Sequence, residues 1–419
     1  MTTAATPPSI APGLAGDVQR PVKPGQQVTW SNLHGVADAL AVNQVSTSAP
    51  GLVLVITANS ARAQRWQSAL SLFADPANTP LHFPDWETLA YDAFSPHQDI
   101  TSERLSTLRD LPSVTSGVLT VPITTLLQRI SPPSYIAGSG FDFQAGQRLD
   151  IATQRRALDS AGYQNIDTVS ERGQYAVRGS VLDIYPMGSE LPVRLDLFDD
   201  EIDTLRTFDP DTQRTIEKID RLDLLPAKEF PFNDAAIARF RDQWHNTFNV
   251  DVRRCSVYQD VSSGIVPNGV EYYLPFFFDS LGTLFDFLPE NVLLVVEDGV
   301  IEAAQHQIDD TEVRYESLRH DIERPILPPR QLFMAMDELH AHLNTLPRIN
   351  LRTSAGKHGQ FFNSQTLPEL TVNPRAKDPA EKLKQFVAQV QQPILFVAES
   401  AGRREVFDEL LRKADIQTR

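Results

Sequence analysis

Three side chains in one strand-like run, Arg194, Asp196 and Phe198, have the types and spacing of a protein-binding surface. They alternate with apolar residues, so in a β-strand they share the face opposite to the buried one. Arginine and aromatic side chains carry much of the binding energy at protein interfaces, so the chemistry that these residues predict is recognition. The alternative is structural: Phe198 packs under a neighbouring loop, and Arg194 pairs with a local acid.

This run belongs to a predicted β-hairpin. The strand-like runs Tyr175–Pro186 and Leu191–Asp199 flank a turn signal at Met187–Glu190, a pattern that favours two antiparallel strands. If Pro186 faces Leu191 across the turn, the pairing of the other residues follows from that register. The register therefore decides which side chains accompany the binding residues.

In this register Arg194 lies opposite Asp183, which gives the arginine a cross-strand partner of opposite charge. Phe198 lies opposite Gly179, which has no side chain to cover the aromatic ring. Arg178 falls on the other face of the hairpin unless a bulge at Gly179 redirects it. The pattern thus predicts a paired arginine and an uncovered aromatic ring on one face.

Catalytic and nucleotide-binding motifs are missing from the places where they are expected. A P-loop needs the pattern GxxxxGK[ST], because backbone amides surround the phosphates and the lysine reaches the outer ones. The loop Thr57–Ala63 after the first predicted strand reads TANSARA, and we interpret Ser60 as the N-cap of the next helix. The acidic clusters at 196–203 and 298–302 have no further ligands at metal-site spacing, which favours solvated edges. We predict no catalytic residue, no cofactor and no metal.

Composition argues against direct binding of nucleic acid. The 419 residues include 38 basic and 54 acidic side chains, a formal charge of −16, whereas non-specific phosphate binding depends on Lys and Arg. No apolar run reaches the roughly 18 residues of a membrane span. The N-terminus, rich in Thr, Ala and Pro, predicts a flexible tail rather than a signal peptide. One cysteine, Cys255, fits a reducing cytoplasm.

Strand–helix units recur along the chain and predict parallel α/β layers. The run LVLVIT at 52–57 precedes an amphipathic helix, and similar strands occur within 117–130 and 291–298. One further amphipathic helix is predicted at 331–346. The strand PILFVAES at 393–400 and the helix after it form a short last unit, which we expect to be truncated.

Longer stretches resemble one protein family. VRGSVLDIYP at 177–186 and RLDLFDDEIDTLRTFDP at 194–210 resemble the segment shared by the bacterial excision-repair protein UvrB and the transcription-repair coupling factors. The blocks Phe83–Leu108 and Gly269–Pro289 are similar to the coupling factors rather than to UvrB. The resemblance covers roughly residues 25–419 and includes the missing P-loop, which UvrB carries at the corresponding place.

The resemblance implies a multidomain α/β fold: a degenerate RecA/UvrB-like parallel α/β domain with an inserted α+β hairpin domain, followed by a further partial α/β unit. The segment Tyr91–Asp99 is too short for the aromatic DNA-binding hairpin of UvrB, so its aromatic residues are expected to pack onto the domain. The implied division is a flexible tail at 1–24, domain 1a at 25–140, the UvrA-binding domain 2 at 141–228, domain 1b with a connecting helix at 229–350, and a linker with the truncated start of domain 3 at 351–419.

For function, the resemblance implies recruitment of the repair ATPase UvrA, with Arg178, Arg194 and Phe198 as the contacting residues. In that family the C-terminal domains clamp this module, while ATP, Mg²⁺, DNA and RNA polymerase engage domains outside this chain. This segment is therefore expected to be a cytoplasmic, non-enzymatic recruitment module. The alternatives are a UvrB-like DNA- or nucleotide-binding enzyme domain and a purely structural spacer.

Overall fold

In the computed structural model the described residues are 18–73, 79–138, 140–353, 359–372, 376, 378–391 and 393–418. Most of the predicted flexible tail, residues 1–17, lies outside them. The end of that tail packs onto the fold, because Pro21 is buried and the Trp30 indole donates a hydrogen bond of 2.8 Å to the Gln19 carbonyl. The chain forms two compact units, Met1–Asn363 and Ser364–Arg419.

The secondary structure follows the predicted alternation of strands and helices in the first part of the chain. The strands are β1 (Gln27–Ser31), β2 (Leu52–Thr57), β3 (Leu81–His82), β4 (Gly117–Pro122), β5 (Phe141–Gln144), β6 (Gln164–Asn165), β7 (Gln174–Arg178), β8 (Val181–Ile184), β9 (Val193–Phe198), β10 (Glu201–Phe208), β11 (Thr215–Ile219), β12 (Arg221–Leu224), β13 (Val292–Val296), β14 (Arg348–Arg352) and β15 (Gln360–Phe361). The helices are α1 (Ala37–Ser48), α2 (Ser60–Phe73), α3 (Gln98–Asp110), α4 (Ile123–Leu126), α5 (Pro133–Gly138), α6 (Ile151–Ser160), α7 (Asp234–Thr247), α8 (Ser256–Ser262), α9 (Val300–Leu318), α10 (Pro329–Leu332), α11 (Met336–Thr345), α12 (Glu381–Gln389) and α13 (Ala401–Lys413).

The largest sheet is parallel and is assembled from both ends of the first unit. Its strand order is β15-β1-β14-β13-β2-β4-β3, and its neighbouring strands run parallel. Although residues 123–291 separate β4 from β13 in the chain, both strands pair with β2. The intervening chain must leave the sheet and return to it, which confirms the predicted insertion of one domain into a parallel α/β domain.

Continuous apolar sequence explains why this sheet is buried on both faces. Along β2, Leu52, Leu54 and Ile56 enter one apolar cluster. Val53 and Val55 enter a second cluster, which includes residues of α1 and α2. Strands covered on both faces lack polar alternation, and the run LVLVIT has none.

The inserted domain is built on a mixed, mostly antiparallel sheet of order β11-β10-β9-β8-β7-β6. Neighbouring strands from β7 to β11 pair antiparallel, and β6 pairs in parallel with β7. On one face Leu182, Leu195 and Leu205 lie opposite one another and are buried. The other face carries polar side chains and contains the candidate site.

The predicted single helix at 331–346 is instead divided into α10 and α11. Between them, the Met334 N–H donates a hydrogen bond of 2.7 Å to the Leu127 carbonyl. Phe333 has an extended backbone and forms an isolated β-bridge with Gln128. These long-range backbone bonds hold the chain out of the helical conformation, and the amphipathic pattern alone gave no sign of them.

The second unit contains α12 and α13. Residues 393–400, predicted as a strand, do not form one. A strand satisfies its backbone groups by pairing with a neighbour, and the described residues of this unit supply no second strand. The unit begins at Ser364 rather than near residue 351, because β14 and β15 belong to the sheet of the first unit.

Candidate functional site

Strand alternation places the predicted binding residues on one face of the inserted sheet. Along β9 the odd-numbered residues are buried, whereas Arg194 and Asp196 are half-buried and Phe198 is exposed. Asp183 on β8 pairs with Arg194 on β9. The register predicted from the turn is therefore confirmed over this pair of strands.

Asp183 is the centre of the polar face, because one buried carboxylate binds two arginines. Its side chain is 0% exposed, and Arg194 donates from Nε to Oδ1 at 2.7 Å and from Nη2 to Oδ2 at 3.0 Å. Arg178 also donates to Oδ2. The hydrogen bonds from Arg194 to Asp183 raise the pKa of Arg194. The Arg194 guanidinium also lies 4.8 Å from the ring centroid of Phe208. Since two guanidinium groups share one carboxylate, one positive charge is left uncompensated.

A tight turn brings Arg178 to this face. The run 175–186, predicted as one strand, is two antiparallel strands, β7 and β8. Gly179 between them has a φ of +62°, which glycine adopts readily at the first central position of a two-residue hairpin turn. Arg178 lies opposite Val181 with its side chain on Asp183. Of the two possibilities left open by the sequence, the chain is redirected at Gly179, so Arg178 lies on the same face as Arg194. The redirection is a turn rather than a bulge.

Phe198 ends β9 and is 76% exposed. It pairs with Glu201 across the turn to β10, rather than with Gly179 as predicted, because β8 pairs with β9 only as far as Asp196. The hypothesis that Phe198 packs under a loop is wrong, whereas the pairing of Arg194 with a local acid is correct. A large exposed aromatic ring on the same face as two arginines is a suitable anchor for a protein partner.

Arg206 also lies on this face, although it is not among the residues predicted from the sequence. On β10 it lies directly opposite Arg194 and donates a hydrogen bond to Asp196. Asp196 also accepts a hydrogen bond of 3.1 Å from Thr204, so this part of the predicted solvated acidic edge is structurally engaged. The alternation of β10, in which Arg206 follows the buried Leu205, was the signal that could have revealed it.

The side-chain carboxylate of Glu297 lies at the loop Thr57–Ala63, where a P-loop would bind phosphate. Glu297 follows β13 and is 3% exposed. It accepts hydrogen bonds from Arg62 Nε at 2.8 Å, Trp66 Nε1 at 3.1 Å and the Ala58 N–H at 3.4 Å. The Ala58 N–H and the Arg62 side chain, beside the N-terminus of α2, are donors of the kind that would bind a phosphate, and here they bind the negative charge of Glu297.

The predicted N-cap of α2 is wrong by one residue. The N-cap of α2 is Asn59 rather than Ser60, since the Asn59 side-chain Oδ1 accepts a hydrogen bond of 2.9 Å from the Arg62 N–H.

The two aromatic residues of the segment 91–99 differ in burial. Tyr91 is buried as expected, but Phe94 is 70% exposed. The sequence could not distinguish the two aromatic residues, because their burial depends on the neighbouring helices and loops.

Metal and thiol chemistry have little support. Within the described ranges, no group of three or more His, Cys, Asp or Glu side chains could hold a metal ion. Cys255 is buried and forms no disulfide, and burial raises the pKa of its thiol, which disfavours a reactive thiolate.

Among the residues that the structure describes, no helix is long and apolar enough to cross a membrane.

A degenerate phosphate loop in a parallel α/β domain, interrupted by a sheet domain with a cationic and aromatic face, is the architecture of a UvrB-like protein. Residues 141–230 match the family model of the UvrB interaction domain, and residues 386–419 match that of the MFD D3 domain. These two matches lie in the inserted domain and at the end of the second unit.

The chain is similar to transcription-repair coupling factors over most of its length. It is 44% identical over 400 residues to that of Escherichia coli (strain K12), covering 94% of this chain and 35% of the relative. It is 40% identical over 396 residues to that of Haemophilus influenzae, covering 93% and 34%. The chain thus spans about a third of the length of these relatives. It corresponds to the N-terminal, UvrB-like module of transcription-repair coupling factors, which confirms the resemblance seen in the sequence.

Proposed function

We propose that this module recruits the nucleotide-excision-repair ATPase UvrA and thereby brings repair to lesions that stall RNA polymerase. The observation that carries the proposal is the arrangement of Arg178 and Arg194 around the buried Asp183, with Phe198 on the same face. Interfaces of this kind concentrate their binding energy in a few arginine and aromatic residues. The match to the UvrB interaction domain supports a protein partner from the excision-repair system.

The two arginines are held in place before a partner binds. Arg194 is 20% exposed and is fixed by Asp183 and by the ring of Phe208. Arg178 is 49% exposed and so presents more of its guanidinium to a partner. Side chains that are already ordered lose less conformational entropy on binding, which favours this face as a binding surface.

The proposal is tested by titrating purified UvrA into the whole chain in a calorimeter. We expect saturable binding with a defined stoichiometry, and we expect it to be lost when Arg178 and Arg194 are both replaced by alanine. A double variant that melts normally and binds like the wild type would show that another surface is responsible. If the wild-type chain does not bind UvrA, the proposed function is wrong.

The UvrB-like enzyme alternative predicts ATP hydrolysis, and we expect none. The loop Thr57–Ala63 has neither glycine nor lysine, and Glu297 places a negative charge on the donors of that loop. The measurement is ATP turnover by the purified chain, with and without DNA. Turnover that scales with the chain and disappears when Arg62 is replaced by alanine would contradict the prediction.

The DNA-binding alternative predicts tight association with duplex DNA, and we expect binding weaker than about 1 μM at physiological salt. The formal charge of −16 opposes binding to phosphates. Fluorescence anisotropy with a labelled duplex at several salt concentrations measures the affinity and the number of phosphates neutralised. Submicromolar binding that persists at physiological salt would contradict the expectation.

The rest of the proposed function concerns the full-length protein. We propose that its remaining domains use ATP and Mg²⁺, engage DNA and RNA polymerase, and include C-terminal domains that clamp this module. The module itself is proposed to need no cofactor and to work in the cytoplasm, which agrees with its single buried Cys255. The structural-spacer alternative predicts instead that the polar face binds nothing.

A further inference from the structure

A row of three cations crosses the inserted sheet, starting from Arg194 of the proposed UvrA site. Strand pairing places Arg194 on β9 opposite Arg206 on β10, and Arg206 opposite Lys218 on β11. Neighbouring strands lie about 4.8 Å apart, so the three side chains start within roughly 10 Å of one another. Like charges directly opposite in a sheet are destabilising. A local arrangement that opposes stability is expected at a functional site rather than at a structural one.

The carboxylates of this face do not neutralise the row. Asp183 is shared by Arg178 and Arg194, and Asp196 binds Arg206. The Arg206 side chain is 40% exposed, although its Nε atom is buried and has no hydrogen-bond partner among the described residues. Lys218 is exposed, and no ion pair within the described part of the chain involves it. This region is therefore locally positive on a chain whose formal charge is −16.

We infer that Arg206 and Lys218 extend the proposed binding face and that the partner surface carries clustered aspartate or glutamate side chains. The inference rests on the proposed function, since it describes the same face of domain 141–230. Carboxylates of a partner would bind the exposed ammonium of Lys218 and the exposed part of the Arg206 guanidinium, and Phe198 would provide the apolar anchor. The acidic turn at 199–201 lies at the Phe198 end of β9, so the face has a basic and an acidic end that would orient the partner.

A protein partner fits this face better than a nucleic acid does. The half-buried carboxylate of Asp196 and the exposed acidic turn at 199–201 lie beside the cations, where they would repel a continuous phosphate backbone. Discrete carboxylates on a folded protein can approach the cations and avoid these two positions. The exposed ring of Phe198 adds apolar area, which interfaces between proteins use at their centre.

The test is calorimetric titration of UvrA into the whole chain with Arg206→Ala, Lys218→Ala and Arg206→Glu at two salt concentrations. We expect the two alanine variants to weaken binding roughly five- to tenfold and the glutamate variant to weaken it more than about tenfold. The salt dependence should decrease in each alanine variant. Arg206→Lys, which keeps the charge beside Asp196, should retain most of the affinity and separates loss of charge from loss of folding.

Arg253→Ala serves as the control, because Arg253 is 87% exposed and lies outside the inserted domain. If Arg178→Ala weakens UvrA binding while the Arg206 and Lys218 variants bind normally, the extension is wrong and the proposed function stands. If the wild-type chain does not bind UvrA, the proposed function itself fails. If the same substitutions weaken binding to a labelled DNA duplex but not to UvrA, the inference of an acidic protein partner is overturned.

Discussion

Replacing Phe198 with alanine is expected to weaken UvrA binding by roughly 1–3 kcal/mol. The free energy of unfolding should change by less than about 0.5 kcal/mol. The ring is 76% exposed in the free chain, so its removal costs few intramolecular contacts, whereas a partner would bury it. Titration calorimetry with UvrA and thermal melts of the same preparations measure the two quantities.

Phe94→Ala is the matched control for this prediction. Phe94 is 70% exposed and lies outside the inserted domain, so its replacement should leave both UvrA affinity and melting unchanged. A Phe198→Ala variant that melts early but binds normally would mean that the ring stabilises the hairpin. Normal binding together with normal melting would mean that the ring takes no part in recognition.

Replacing either Arg178 or Arg194 with alanine should weaken UvrA binding by a similar amount, but the two variants should differ in folding stability. Arg194→Ala removes two hydrogen bonds from the fully buried Asp183 carboxylate, whereas Arg178→Ala removes one partner that is itself half-exposed. We therefore expect the melting temperature to fall more for Arg194→Ala. The sequence alone could not reveal this difference, because it does not show that the carboxylate shared by the two arginines is buried.

Replacing Arg104 with methionine is expected to lower the free energy of unfolding of the first unit by roughly 3–5 kcal/mol. Arg104 is 0% exposed and donates from Nε to Glu229 at 2.5 Å and from Nη1 to the Pro84 carbonyl at 2.9 Å. Its guanidinium also lies 4.4 Å and 5.1 Å from the ring centroids of Phe83 and Trp86. Without the arginine, the buried Glu229 carboxylate loses its compensating charge. Chemical denaturation followed by circular dichroism measures the loss.

A double substitution separates the buried charge from simple loss of packing. Arg104→Met combined with Glu229→Leu removes both charges, so the double variant should be more stable than Arg104→Met alone. Arg253→Met breaks the exposed pair with Asp251 and should leave the free energy of unfolding nearly unchanged, because exposed ion pairs contribute little to stability. If Arg104→Met cost no more than Arg253→Met, the buried pair would have no special importance for folding.

Local sequence pattern was sufficient for much of the site. The alternation of VRLDLF assigned Arg194, Asp196 and Phe198 to one face, because successive side chains of a strand point to opposite sides. The turn between the two runs gave the correct pairing of Asp183 with Arg194. The TANSARA loop contains neither the glycines nor the lysine that a P-loop requires. The family resemblance then gave the insertion of one domain into another.

Arg178 could not be placed from the sequence. Gly179 is compatible with a continuing strand, a bulge or a turn, and the pairing of β7 with β8 selects the turn. That pairing brings a second guanidinium onto Asp183. The backbone choice at a glycine is weakly determined by local sequence, since glycine has few steric restrictions.

Contacts between distant segments were decided by packing alone. Glu297 reaches the donors around Ala58 and Arg62 because β13 and β2 are neighbours in the parallel sheet, although more than 230 residues separate them in the chain. Arg104 and Glu229, 125 residues apart, meet where the chain leaves the inserted domain and returns to the parallel α/β domain. Such pairs have no local pattern, because their energies depend on burial, and burial exists only once the whole domain has folded.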